Sequence, residues 1–149
     1  MSKQFNNKMG FLKKVFLVLL VLDIIDLLSA GISMLSTFKQ LAGYGQLMLG
    51  VIGAMTAVMA AVQLFEIMTK IFLIKSTSPT FSWTSERKGY TTAAKLLVLF
   101  NVCAVIINLL SAGGEGATLL NQGYLYLKVL ASVVEIFAVF FYLHTVKRR

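Results

Sequence analysis

The chain has 149 residues, 58% of them hydrophobic and only 13% charged, with a mean hydropathy of +0.81 and a net charge of +8. An average globular chain is about one quarter charged, so this composition excludes an ordinary water-soluble domain and makes lipid the solvent for much of the surface. Fourteen Lys and Arg against six acids could point to nucleic acid, but the basic residues form short scattered clusters with no recognised DNA- or RNA-binding motif. No nucleic-acid partner is expected.

A span must hold about 20 apolar residues to cross a hydrocarbon core about 30 Å thick. The first that does so follows the basic arm Lys3, Lys8, Lys13 and Lys14 and covers residues 15–38. Its basic start and the apolar run from Val15 to Leu22 have the outline of a secretory signal, but Asp23 and Asp26 interrupt the run, so it reads as a retained first span. The second span covers residues 47–74. Gly50, Gly53, Ala54, Ala57 and Ala61 give it a small-residue face suited to close helix packing, within one bundle or in a dimer. Met48, Met55, Met59 and Met68 do not line one face and read as packing or lipid-facing residues.

Residues 75–92 form the expected central loop, poor in helix formers, where Phe81, Trp83 and Tyr90 suit the headgroup region. The third span, residues 93–113, contains the lone Cys103, read as a small buried residue. The fourth covers residues 124–146. Glycine-rich turns are expected at Ala42–Gly45 and Gly113–Gly116.

Eleven basic residues flank the arm, the central loop and the tail: Lys3, Lys8, Lys13, Lys14, Lys75, Arg87, Lys88, Lys95, Lys147, Arg148 and Arg149. The other two connections carry only Lys39 and Lys128. Positive charge favours the cytoplasmic side, so both termini and the central loop are expected there, most simply at the plasma membrane. The expected fold is all-α: an integral membrane four-helix bundle in a single domain.

A repeat lies within the hydrophobicity. Ile24-Ile25-Asp26-Leu27-Leu28-Ser29-Ala30-Gly31 returns as Ile106-Ile107-Asn108-Leu109-Leu110-Ser111-Ala112-Gly113, with only Asp26 replaced. Phe65-Glu66-Ile67 is echoed more weakly by Val134-Glu135-Ile136, and Phe72 and Phe141 are equally spaced afterwards. Membrane helices share few residue types, so chance accounts well for the second match and less well for the first. The reading is two similar hairpins in parallel repeat, related by an axis along the membrane normal.

Four of the six acids, Asp23, Asp26, Glu66 and Glu135, fall inside spans. A central Asp costs roughly 2.5–3.5 kcal/mol of insertion free energy, against roughly 0.3–0.6 returned by each large apolar residue. Intramembrane ionisable groups are therefore functional candidates. Asp23, Asp26, Ser29, Ser33 and Thr37 share a helical face, as do Thr56, Gln63, Glu66 and Lys70, then Asn101, Asn108, Ser111 and Glu115, and finally Lys128, Ser132, Glu135 and Tyr142. Four such faces converge on a bundle interior. Counted from the cytoplasmic ends, Asp26, Asn108 and Glu135 share one mid-membrane depth, while Asp23 and Glu66 lie closer to the cytoplasm. Glu66 and Lys70, four apart in the favourable order, can form a self-contained pair. Lys70 is the only base deep in a span, so three acids lack an obvious partner within the chain.

That leaves two functional expectations. The first is a non-enzymatic accessory, protective or regulatory subunit, bound through its polar faces to another membrane protein or to itself as a homo-oligomer. The second is an oligomeric transporter or channel for H⁺ or a monovalent cation, using Asp23, Asp26, Glu66, Asn108 and Glu135. His144 stands alone among potential zinc ligands save for one Cys, and there is no phosphate loop, HExxH pattern or nucleophile elbow. No metal, cofactor or enzymatic activity is expected. Topology is directly testable: reporter fusions at Lys39 or Glu115 are expected to read as external, and a cytoplasmic reading at either overturns the orientation.

Overall fold

The computed structural model of the protein describes residues 3–41, 46–78, 83–112 and 119–147. Four helices account for nearly all of them: α1 (Lys3–Leu41), α2 (Gln46–Ser76), α3 (Trp83–Ala112) and α4 (Leu119–Lys147). Each carries a stretch long and apolar enough to cross a membrane: Phe5–Ser36, Gly50–Ser76, Lys88–Leu110 and Gln122–Lys147. Their best windows have mean hydropathies of 2.5, 1.8, 2.2 and 2.0. Helix is what such sequences must form, because hydrocarbon offers no partner for backbone N–H and C=O groups and a helix pairs them internally. The protein is an all-α, multi-pass membrane bundle.

The central loop is shorter than expected. Helix α2 runs to Ser76, where Thr77 and Ser78 donate backbone N–H bonds to Ile74 and Lys75 just before the chain's only proline, Pro79. Helix α3 then starts at Trp83, well inside the segment expected to be loop. Ser, Thr and Gly disfavour helix by less than about 1 kcal/mol each, and here packing outweighs that preference. Tyr90 is buried with its ring edge-on to Phe72, and Ala94 is buried one turn later. Tyr90 is therefore a packing residue rather than an interfacial anchor. The side chains of Phe81 and Trp83 lie outside the described residues, as do the turns expected at Ala42–Gly45 and Gly113–Gly116.

Among the described residues each helix touches two others, α1 with α2 and α4, and α3 with α2 and α4. The helices thus form a ring in which α1 faces α3, and α2 faces α4, across the diagonals. The buried core draws Met9, Leu12, Phe16 and Leu19 from the start of α1, and Leu73 from the end of α2. Ala94 and Leu97 come from the first half of α3, and Ala138, Val139, Tyr142 and Val146 from the end of α4. Beginnings of α1 and α3 packed against ends of α2 and α4 make an alternating up-and-down bundle. The apolar core lies at the end carrying both termini.

A few polar contacts stitch this packed end. Phe16 meets Tyr142 edge-on at 6.1 Å, and the Tyr142 hydroxyl lies 2.6 Å from Ser76 Oγ, joining α4 to α2. Toward the opposite end fewer of the described residues are buried, and a cavity lies between the helices. A Cβ added at Gly50 meets nothing within 4 Å, and Ala54, Ala57 and Ala61 are exposed, while Gly53 is half-buried. The small-residue face of α2 is thus largely left open by this single chain. Cys103 is exposed rather than buried, because α3 turns that side toward the widened part of the bundle. For the packed end, Phe16→Ala is expected to cost about 3–5 kcal/mol. Tyr142→Phe, which removes one interhelical hydrogen bond, should cost about 0.6 kcal/mol. Thermal unfolding in detergent micelles measures both, and equal effects would contradict this placement of the core.

Candidate functional site

One turn beyond the apolar core, the sequence places a polar residue on every helix. Asp23 follows Leu19 by four residues on α1, and Asn101 follows Leu97 by four on α3. Glu135 precedes Val139 by four on α4, and Lys70 precedes Leu73 by three on α2. Helical periodicity turns these four inward on the same face as the core residue beside them. The result is a polar layer laid across the bundle directly above its packed end.

Lys70 is the hub of that layer. Its side chain is 1% exposed, and its ammonium contacts the carboxylate of Asp23 on the neighbouring α1. It also lies 2.8 Å from Glu135 Oε2 on α4, the helix diagonally across the ring. One lysine therefore closes the bundle centre and ties three helices. Asn101, also buried, turns its amide back to donate to the Leu97 carbonyl at 2.9 Å. Glu135 Oε1 is buried and, among the described residues, has no hydrogen-bond partner.

A second polar layer sits one turn further from the packed end. Asp26 receives three donors: the Tyr124 hydroxyl, the Lys128 ammonium at 2.9 Å and the Gln63 amide at 3.4 Å. Lys128 also lies 4.9 Å from the centre of the Tyr124 ring, a cation–π contact that fixes both side chains around Asp26. This layer links α1, α2 and α4.

Above and between the layers the separating helices enclose an open cavity of about 960 Å³. All four in-span carboxylates line it, together with Asn101, Asn108 and Ser132. Most of the remaining wall is apolar, from Val18 and Leu22 on α1 to Ile107 on α3 and Leu127 on α4.

The structure thus brings Asp23, Asp26, Glu66, Asn108 and Glu135 to one cavity, but three expectations about them change. Asp23, Glu135 and Asp26 have partners within the chain, the first two in Lys70 and the third in Lys128, while among the described residues Glu66 forms no salt bridge. Lys128 had read as a loop-edge residue, yet it lies within α4 and its flexible stem reaches inward to Asp26. Glu66 and Lys70 do not form a self-contained pair, since the Lys70 side chain runs toward the bundle centre to two other carboxylates. Nor does Glu135 share the depth of Asp26, because it meets Asp23 through a common lysine in the lower layer. Thr37 and Ser111 side chains and Glu115 lie outside the described residues.

The participants missing from the sequence-derived set are Lys70, Lys128, Gln63, Tyr124 and Asn101. The first three lay on the polar faces already recognised, as did Asn101. Tyr124, one turn before Lys128, carried only the signal of its spacing. Among the described residues no group of three or more His, Cys, Asp or Glu is placed to hold a metal ion. Comparison with family models, curated proteins and solved structures finds no match.

The lower layer has a distinctive energetic signature. Removing one partner from a buried ion pair strands the other charge and costs about 3–5 kcal/mol, whereas replacing the whole set with well-packed hydrophobic residues of similar volume is often nearly neutral. Lys70→Met is therefore expected to destabilise the protein by that amount in thermal unfolding. The triple substitution Lys70→Met, Asp23→Leu, Glu135→Met should recover most of the loss. A triple variant no more stable than Lys70→Met would contradict the shared ion pair.

Proposed function

We propose that this chain is a small, non-enzymatic plasma-membrane protein, with both termini cytoplasmic, that takes protons or a cation into its bundle cavity and passes them across. The observation that carries the reading is the cavity of about 960 Å³ bordered by Asp23, Asp26, Glu66 and Glu135. Charges at this depth are costly and mark ion or proton paths when they face a bundle interior. Asp26, Glu66 and Glu135 receive the ion, while Asp23 and Lys70 form the barrier beneath it. By the positive-inside pattern the cavity opens outward and the packed end is cytoplasmic. Passage then requires Lys70 to release one of its two carboxylates.

The parallel-repeat reading gains support from two corresponding pairs. Asp26 and Asn108, and likewise Glu66 and Glu135, all border the same cavity. The competing reading, an accessory subunit bound to another membrane protein or to a second copy, is favoured by the open face at Gly50, Ala57 and Ala61. Gentle-detergent purification with crosslinking tests it, and recovery only as a free protein counts against it.

The transport reading is tested by flux. Proteoliposomes holding the protein should dissipate an imposed pH or Na⁺ gradient faster than empty liposomes. Asp26→Asn and Glu135→Gln should each lower that rate at least tenfold. Flux equal to that of empty liposomes would overturn the transport reading, and unchanged flux in both variants would overturn the residue assignments.

A further inference from the structure

Resting on that reading and deepening it, we propose that the cavity binds an organic cation: a primary ammonium group on an alkyl or aryl body, its head seated between Glu66 and Glu135. Three observations converge on this class. The first is an acceptor without a donor. Glu135 is 3% exposed and its Oε1 has no hydrogen-bond partner, although a buried carboxylate oxygen ordinarily finds one. Among the described residues, Lys70 bonds Asp23 and Glu135 Oε2, Lys128 bonds Asp26 and the Asn101 amide bonds Leu97, and none of them reaches Oε1.

The second observation is charge. Four carboxylates border the cavity, and the lysines at its edge and floor are Lys14, Lys70 and Lys128. Carboxyl groups outnumber the lysines at the site, and among the described residues Glu66 forms no salt bridge with them. An arriving cation meets the Glu66 carboxyl and the side chain of Glu135 on one cavity wall.

The third is the wall. Val18, Leu22, Val58, Met59, Phe100 and Ile107 face the cavity. An alkyl or aryl body is matched to them, and the volume of about 960 Å³ lies within the range that encloses drug-sized ligands. The head must carry N–H bonds, since a quaternary ammonium brings charge but no donor for Glu135 Oε1.

Equilibrium binding of radiolabelled octylammonium to the full chain in phosphatidylcholine nanodiscs tests this, with empty nanodiscs as the partition control. Binding should saturate, and be at least tenfold tighter than that of octyltrimethylammonium or of neutral octanol. Glu66→Gln and Glu135→Gln should each weaken it at least tenfold. Equal binding of the three probes, or uptake no greater than in empty nanodiscs, overturns the proposal. Should Glu135→Gln fail to fold, the probe series on the unaltered protein still decides. Competition by phosphatidylethanolamine, which carries the same primary ammonium, identifies a lipid headgroup as the occupant, whereas undiminished binding identifies a free amine. Saturable octylammonium binding without gradient-driven flux keeps this site and removes transport, while flux without head-group selectivity does the reverse.

Discussion

Lys70 must be neutralised where it stands, and most of the bundle's arrangement follows from how that is done. Its side chain is enclosed at the level where the apolar core ends. The idealised cost of moving such an ion from water into a low-dielectric interior is of order 20 kcal/mol, so unpaired burial is untenable. Asp23 and Glu135 approach from two different helices and share it. That sharing joins α2 to its diagonal partner α4 and sets two carboxyl groups against one ammonium. Among the described residues Glu135 Oε1 has no hydrogen-bond partner.

The lengthwise gradient of the bundle gives the layer its meaning. On the side of the termini, Phe16, Leu97, Val139 and Tyr142 are almost wholly buried and the helices close on one another. On the other side the same helices diverge around a cavity whose polar groups project from the second layer. A tightly packed half holds the ion pair in register, and an open half gives access to it. Asp26 with its three donors stands between, stiffening α1 against α4 at the point where the helices begin to part. Polar groups are thus concentrated in two adjacent layers at the boundary between packed and open halves.

Much of this was legible in the sequence, and the failures have physical causes. Four spans, their approximate limits and four converging polar faces all follow from hydropathy and helical spacing, which depend only on local sequence. Pairing does not. Lys128 lies on a recognised polar face, but it sits near a span end, and spacing does not reveal that its partner is Asp26 on another helix. Glu66 and Lys70 satisfy the spacing rule for a helical ion pair, but that rule is worth only about 0.2–0.5 kcal/mol. Two carboxylates at the bundle centre outcompete it. The segment from Trp83 to Tyr90 read as loop by propensity, and its burial of Tyr90 against Phe72 comes from tertiary packing that propensity cannot register.

The central claim is that the polar layers border a cavity open to water rather than a lipid-filled gap. Cys103 offers a native probe, because it is exposed and lines that cavity, and a thiol reacts as its thiolate, which forms only where water has access. The direct measurement is labelling of the reconstituted protein by a charged, membrane-impermeant methanethiosulfonate reagent presented to both faces. Ala138→Cys in a Cys103→Ser background provides the buried comparison. The expected result is rapid modification of Cys103 and none at position 138. Cys103 left unmodified by the charged reagent, while a lipid-permeant one still reaches it, would contradict a water-accessible cavity and the function built on it.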